Sequence, residues 1–324
     1  MITREELWKE TSAYVTSNLV AERNWFPRRQ LMESVRAARL QSVDVGGFTL
    51  DCGSGVVCRV TAVDASCTRC LFTRGSRLVD PHTWSVLSGV AGEENVPLCG
   101  RNRTAPGRPV PPLTVRTSDD GASVVMRTDK LCLTATLSPS LSFAWATPDG
   151  RIFAQDRLHR AYAFAAPPSC GLLHAQRAGT GDGYYGLGDK TGELDLSGRR
   201  LVIGMADALG NDPQRGDPGY KHWPFLVVRA GEAGFGGVSP EAAAPDSERP
   251  PVSRTVYGIY YDNAHPATFD LGCGHSNYHG GFRSFEATGG DLDYYLFLGP
   301  TLPDVTRACA CVTDEGRMLF LLPN

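Results

Sequence analysis

Residues 183–191 read GYYGLGDKT, one residue away from a phosphate-binding loop: a glycine, four residues, a glycine, and then Lys190 and Thr191 displaced by Asp189. Such a loop joins a buried strand to a helix, so that backbone N–H groups, the helix N-terminus and a lysine converge on phosphate. Here Asp189 stands where the lysine belongs. The continuation from Gly192 to Met205, GELDLSGRRLVIGM, offers a turn at Ser197-Gly198 and a β-rich run at Leu201, Val202 and Ile203, which is a strand and not a helix. The stretch is therefore read as the end of a strand and a tight turn. Gly186 and Gly188 become structural positions, where φ is positive or the backbone passes close to a neighbour. This reading predicts a strand through residues 184–188, a turn or hairpin over 191–200, and no helix longer than one turn starting between Asp189 and Glu193.

Outward from this block the same texture continues. FTLDCGSGVVCRVTAV (48–63) reads as a hairpin around Gly53-Ser54-Gly55, and LTVRTSDDGASVVMRTDKLCLTATLS (113–138) as strands turned by Asp119-Asp120-Gly121. SFAWATPDGRIFAQ (142–155) turns at Pro148-Asp149-Gly150, and HWPFLVVR, TVYGIYYDN, ATFDLG and GDLDYYLFLG follow as further strands. The 36 glycines and 22 prolines among 324 residues have no collagen-like period and suit many short strands with many turns. Strands without intervening helices imply antiparallel sheets stacked as a sandwich. Helix is expected only at the ends. Thr3 to Glu6 match a capping box before Leu7, Trp8, Tyr14 and Val15, and a second short helix is expected after Pro27 with Leu31, Met32, Val35 and Ala38 on one side. A last helix is expected from Pro303-Asp304 to Thr313. These features divide the chain into a helical extension (1–42), a sandwich (43–313) and a tail (314–324), with a surface loop over Ala230 to Arg254 rich in Ala, Pro, Glu and Ser.

The composition excludes several function classes. The 32 Lys and Arg are interspersed with 35 Asp and Glu, which argues against nucleic acid or an anionic membrane as partner. The N-terminus carries acids where a signal peptide has its apolar core, and no stretch reaches about 18 apolar residues, so a cytoplasmic setting is expected. Asn102-Arg103-Thr104 is a glycosylation sequon that this setting reduces to a polar loop. Cys67 and Cys70 form the one CxxC, but three residues apart on a strand they face opposite ways, and Cys309 and Cys311 do likewise on a helix. No metal and no cofactor are expected.

Four ordered blocks carry a resemblance: YYGLGDKTGELDLSGRR (184–200), MADALGNDPQRGDPGYKHWPFLVV (205–228), YGIYYDNAHPATFDLG (257–272) and NYHGGFRSFEATGGDLDYYLFLGPTLPDVTRACACVTD (277–314). In order and spacing they resemble the N-terminal, galactose mutarotase-like β-sandwich of glycoside hydrolase family 31, a family of α-glucosidases and related enzymes. The resemblance implies a domain that precedes a (β/α)8 barrel, whose two aspartates act as nucleophile and acid/base with retention. The sequence ends in MLFLLPN where that barrel would begin, so the chain is expected to lack the catalytic residues and to be inactive alone. For the sandwich itself the resemblance implies that Asp207 reaches the terminal sugar, with Lys221 and His222 on the same rim, and that an α-linked glucoside or oligosaccharide is the ligand. Without its barrel, the terminal helix and the MLFLL run are expected to expose apolar surface and promote self-association. Two alternatives stay open: a stand-alone carbohydrate-binding module, and a sugar epimerase using His275 or His279 with Glu286 as acid and base.

Overall fold

A computed structural model describes residues 32–75, 77–83, 85–86, 101–103, 109–166, 170–204, 219–231, 255–276 and 280–313. The first strands are β1 (Met32–Ser34), β2 (Arg39–Asp44), β3 (Gly47–Asp51), β4 (Val56–Asp64) and β5 (Cys67–Arg74). Next come β6 (His82–Thr83), β7 (Arg101–Asn102), β8 (Thr114–Thr117), β9 (Ser123–Arg127), β10 (Cys132–Thr136), β11 (Ser142–Ala146) and β12 (Ile152–Gln155). The remainder are β13 (Tyr162–Ala165), β14 (Leu172–Arg177), β15 (Gly183–Gly188), β16 (Arg200–Ile203), β17 (His222–Arg229), β18 (Val256–Tyr261), β19 (Ala267–Ser276), β20 (Gly280–Ala287) and β21 (Leu292–Gly299). One helix, α1 (Leu302–Thr313), follows.

The strands form an eight-stranded sheet in the order β15-β17-β18-β21-β5-β4-β3-β2, a six-stranded sheet β1-β13-β14-β20-β19-β16 and a five-stranded sheet β12-β11-β10-β9-β8, with β6 and β7 as a short pair. The six- and eight-stranded sheets face each other across an aromatic core: Tyr261 of β18 stacks on Phe285 of β20 with ring centroids 3.9 Å apart. The five-stranded sheet continues that sandwich. A bridge from Asp156 to Gln176 links it to the six-stranded sheet, and Trp145 donates its indole N–H to Thr68 of the eight-stranded sheet at 3.0 Å. Burial of each such ring is worth roughly 1.5–3 kcal/mol, so the alternation of large apolar residues fixes which way every strand faces. On β21, Leu292, Tyr294 and Leu296 point inward, whereas Tyr295 and Phe297 point to the outer face.

That outer face is covered by α1. Pro303 and Asp304 suit its first turn, and Val305, Cys309 and Val312 form a buried stripe on Cys67, Val227, Tyr260 and Phe297. The stripe expected to lie bare is therefore spent on the domain's own sheet. Cys67 and Cys70 lie in the outer and inner apolar clusters respectively, and Cys309 is buried while Cys311 is exposed, so both pairs face apart as their spacing predicts.

Over its described residues, from Met32 on, the expected second helix is replaced by strand. Met32, Glu33 and Ser34 pair with Ala165, Phe164 and Ala163 of β13, and Val35 donates its N–H to Tyr162 at 2.9 Å. A short apolar pattern had too little helix propensity to compete with an available sheet edge. The sheets thus begin before residue 43. The expected helix near residues 3–20, most of the 230–254 loop and the tail lie outside the described residues. No described helix is long and apolar enough to cross a membrane.

Candidate functional site

The opening block lies at one margin of the sandwich. β15 ends at Gly188, residues 191–199 turn back on it, and β16 starts at Arg200, without helix, as the sequence predicts. Leu196 donates its N–H to the Tyr184 carbonyl at 2.8 Å, and Arg199 donates to the Thr191 carbonyl at 2.6 Å. Pairing with β17 is irregular: Gly186 faces Leu226, but Gly188 faces His222. Pro224 lies in that interval and has no N–H for the ladder, which confines it to such a break. The opposing backbone crosses the break with φ of +101° at Gly186, +66° at Leu187 and +86° at Gly188. A Cβ on Gly186 would lie 2.5 Å from the Phe225 carbonyl oxygen, and one on Gly188 2.4 Å from that of Lys221. Both glycines are required by conformation and by close approach.

This geometry brings together most of the residues singled out for binding. The Lys221 carbonyl accepts the Asp189 N–H at 2.7 Å, which fixes the turn beneath an exposed Lys221 side chain. His222 is half-buried; its Nδ1 is 3.4 Å from Lys190 Nζ, and that ammonium also donates to the Val202 carbonyl. Lys190, the residue that made the block look like a phosphate loop, is thereby a tie between β16 and β17. Asp207 lies outside the described residues.

The residues considered for an epimerase do not form a site among those described. Glu286 is not on an edge-like strand, because β20 is flanked on both sides, by β14 and β19. Glu286 is half-buried between fully buried Phe285 and Ala287, which point the other way, into the core. Burial raises its carboxyl. The side chain of His275, and His279 altogether, lie outside the described residues.

Two buried polar assemblies escaped the sequence reading. Inside the sandwich, Asp156 accepts from His174 Nε2 at 3.0 Å, Gln176 Nε2 at 3.2 Å, the Phe143 N–H at 2.9 Å and the Tyr162 hydroxyl. His174 Nδ1 is bonded to the Tyr261 hydroxyl at 2.9 Å. Gln176 passes the polarity on, its carbonyl oxygen accepting from Arg283 at 2.9 Å, and Arg283 also donates to Tyr257 at 2.7 Å. Asp156 and His174 are wholly buried. The other assembly lies on the outer side of the eight-stranded sheet. Asp293 takes a bidentate pair of bonds from Arg69 at 2.8 and 2.6 Å. Arg103, 4% exposed and not in a solvated loop as the sequon suggested, lies 3.2 Å from Asp262 and 3.5 Å from Asp291. Burial, opposed by Arg103 and reinforced by Asp293, pushes the Asp262 carboxyl up to about 6. Only the alternation was legible in LLHAQR (172–177): His174 and Gln176 share the inward parity of Leu172, and nothing in the sequence showed which partners would meet them.

A family model for the glycosyl hydrolase 31 N-terminal galactose mutarotase-like domain matches residues 57–238, more than half the chain. The chain is 33% identical over 138 residues to an alpha-glucosidase 2 of Bacillus thermoamyloliquefaciens, which covers 42% of this chain and 14% of that protein. Among solved structures, a family 31 dextranase of Flavobacterium johnsoniae complexed with glucose superposes with a TM-score of 0.63 at 17% identity, over 87% of this chain and 28% of the other. An alpha-1,4-glucan lyase of Gracilariopsis lemaneiformis superposes with a TM-score of 0.62 at 13% identity, over 88% of this chain and 30% of the other. The chain therefore spans less than a third of the length of each of these proteins.

Proposed function

The chain belongs to the family of glycosyl hydrolase 31 N-terminal galactose mutarotase-like domains, and from that premise we propose that it is the carbohydrate-contacting sandwich of an α-glucosidase-like hydrolase whose chemistry resides in a barrel outside these residues. The observation that supports this reading is the sealed interior. The Asp–His pair has the residue types of an acid/base site, but it is wholly buried, with the rings of Tyr162 and Tyr294 stacked on His174 at 4.9 and 4.5 Å. A sugar has no route to it. Contact with a glucoside then falls to the rim, where Lys221 and His222 stand beside the tie made by Lys190. Asp207 is proposed to accept hydrogen bonds from the terminal sugar hydroxyls, for which a carboxylate is well suited. Self-association is assigned to the apolar run Met318 to Leu322, because the stripe of α1 is already used.

Titration of the intact chain with isomaltotriose, followed by calorimetry, tests the rim. Binding is expected, weakened about tenfold by Asp207→Asn and less by Lys221→Ala, as loss of one charge-assisted hydrogen bond implies. An affinity unchanged by both substitutions would remove the rim from the account.

A further inference from the structure

We propose that the inner polar assembly encloses a site for one permanently bound water molecule, held by the Arg283 guanidinium. His174 and Gln176 of β14, Ser284 beside Arg283 on β20, and Tyr261 of β18 line a cavity of about 10 Å3 between the two large sheets. Leu226, Phe269 and Leu271 complete its wall. That volume is what a single water requires, and it excludes any organic ligand. The lining is polar on one side and apolar on the other, so the occupant must find its bonds among few groups.

Arg283 supplies the donor. Its side chain is 3% exposed, Nε and Nη2 are engaged by Gln176 and Tyr257, and Nη1 has no acceptor within hydrogen-bond distance among the described residues. A buried N–H of a guanidinium is costly to leave unbonded. Tyr261 supplies the acceptor: with its hydroxyl bonded to His174 Nδ1, its oxygen retains a lone pair, whereas Ser284, of opposite parity to Arg283 and Phe285 on β20, lines the cavity only beside them. One water accepting from Nη1 and donating to Tyr261 makes two bonds, within the range of about 2–4 found for buried waters. A halide is disfavoured because the Arg283 charge is already linked through Gln176 to the carboxylate of Asp156, and a second anion would have no cation of its own.

The test is a crystal structure of the full chain with a bromide soak, paired with oxygen-17 relaxation dispersion of water in solution. Expected are one well-ordered water between Arg283 and Tyr261, no anomalous bromide peak there, and a dispersion amplitude reduced by one long-lived water in Leu226→Met, which fills the cavity from its apolar side. Arg283→Met is a second route, and Leu226→Met keeps the proposal testable if that variant fails to fold. A dry cavity, a bromide peak, Nη1 turned to a protein acceptor, or an unchanged dispersion amplitude in a folded Leu226→Met each overturns it.

Discussion

The two faces of the eight-stranded sheet bury charge in different ways. On the inner face one carboxylate, Asp156, is surrounded by four donors, and its positive counterpart Arg283 is reached through Gln176. On the outer face three carboxylates, Asp262, Asp291 and Asp293, share two guanidinia, Arg69 and Arg103. The inner assembly is balanced in charge, and the groups around Asp156 are each bonded to it. The outer one has a carboxylate more than its guanidinia, and burial, reinforced by Asp293, pushes the Asp262 carboxyl up to about 6, with Asp291 raised by burial as well. The interior thus spends its carboxylate on four neutral or ring donors in a fixed geometry, whereas the outer cluster sets carboxylates raised by burial against two guanidinia.

The largest effect expected from breaking this contrast is on the inner face. Asp156→Ala leaves His174, Gln176, Tyr162 and the Phe143 N–H without their acceptor, and urea unfolding should show a loss of about 3–5 kcal/mol. Arg103→Ala comes next, at about 3 kcal/mol at pH 7, because it removes one of two cations from three buried carboxylates. Its cost should shrink on acidification as Asp262 and Asp291, both raised by burial, take up protons. Equal and pH-independent losses for the two variants would dissolve the distinction.

A smaller effect sharpens it. The folded-state value for Asp262 lies above the value of about 3.9 expected unfolded, so the folded protein holds the extra proton between the two. This group therefore favours folding below about pH 4 and loses that contribution as pH rises through 6. Other carboxylates, such as Asp120 and Asp149, are lowered by hydrogen bonds from Ser118 and Thr147 and act in the opposite sense. The difference between the native chain and Asp262→Asn isolates the one group. From pH 5 to pH 7 the native chain should lose on the order of 1–2 kcal/mol relative to the variant; a flat difference contradicts the assignment.

The glycines of the margin give the smallest and most local contrast. Gly188→Ala meets the Lys221 carbonyl at 2.4 Å, whereas a Cβ on Gly198, at φ +74°, meets nothing within 4 Å. Both substitutions suffer left-handed strain of about 1 kcal/mol, and Gly188→Ala should cost roughly 1–2 kcal/mol more from displaced backbone. Equal melting temperatures for the two would mean that β15 and β17 do not approach as described.

Most of the fold was legible because alternation and turn chemistry are local. The turns at Gly53, Gly121 and Gly150 each stand where their local sequence puts them, and Asp189 in the lysine position together with the β-rich run after Ser197-Gly198 made the opening block legible as strand and turn. What escaped depended on partners far away in sequence. Met32 to Ser34 look weakly helical until the β13 edge is offered, Arg103 looks solvated until Asp262 and Asp291 meet it, and Glu286 looks peripheral until β14 and β19 flank it. For the site, Lys221 and His222 were found at one margin with Gly186 and Gly188, but the tie made by Lys190 was hidden behind its likeness to a phosphate-loop lysine.

This sandwich is proposed to contact carbohydrate without cleaving it. Retaining hydrolysis needs two carboxylates roughly 5 Å apart on either side of the glycosidic bond, and the interior Asp156 is enclosed where no glucoside reaches. Incubation of the purified chain with an aryl α-glucoside, read by released phenol, measures this directly. Release no faster than in buffer is expected; turnover that disappears in Asp207→Asn would contradict a purely binding role.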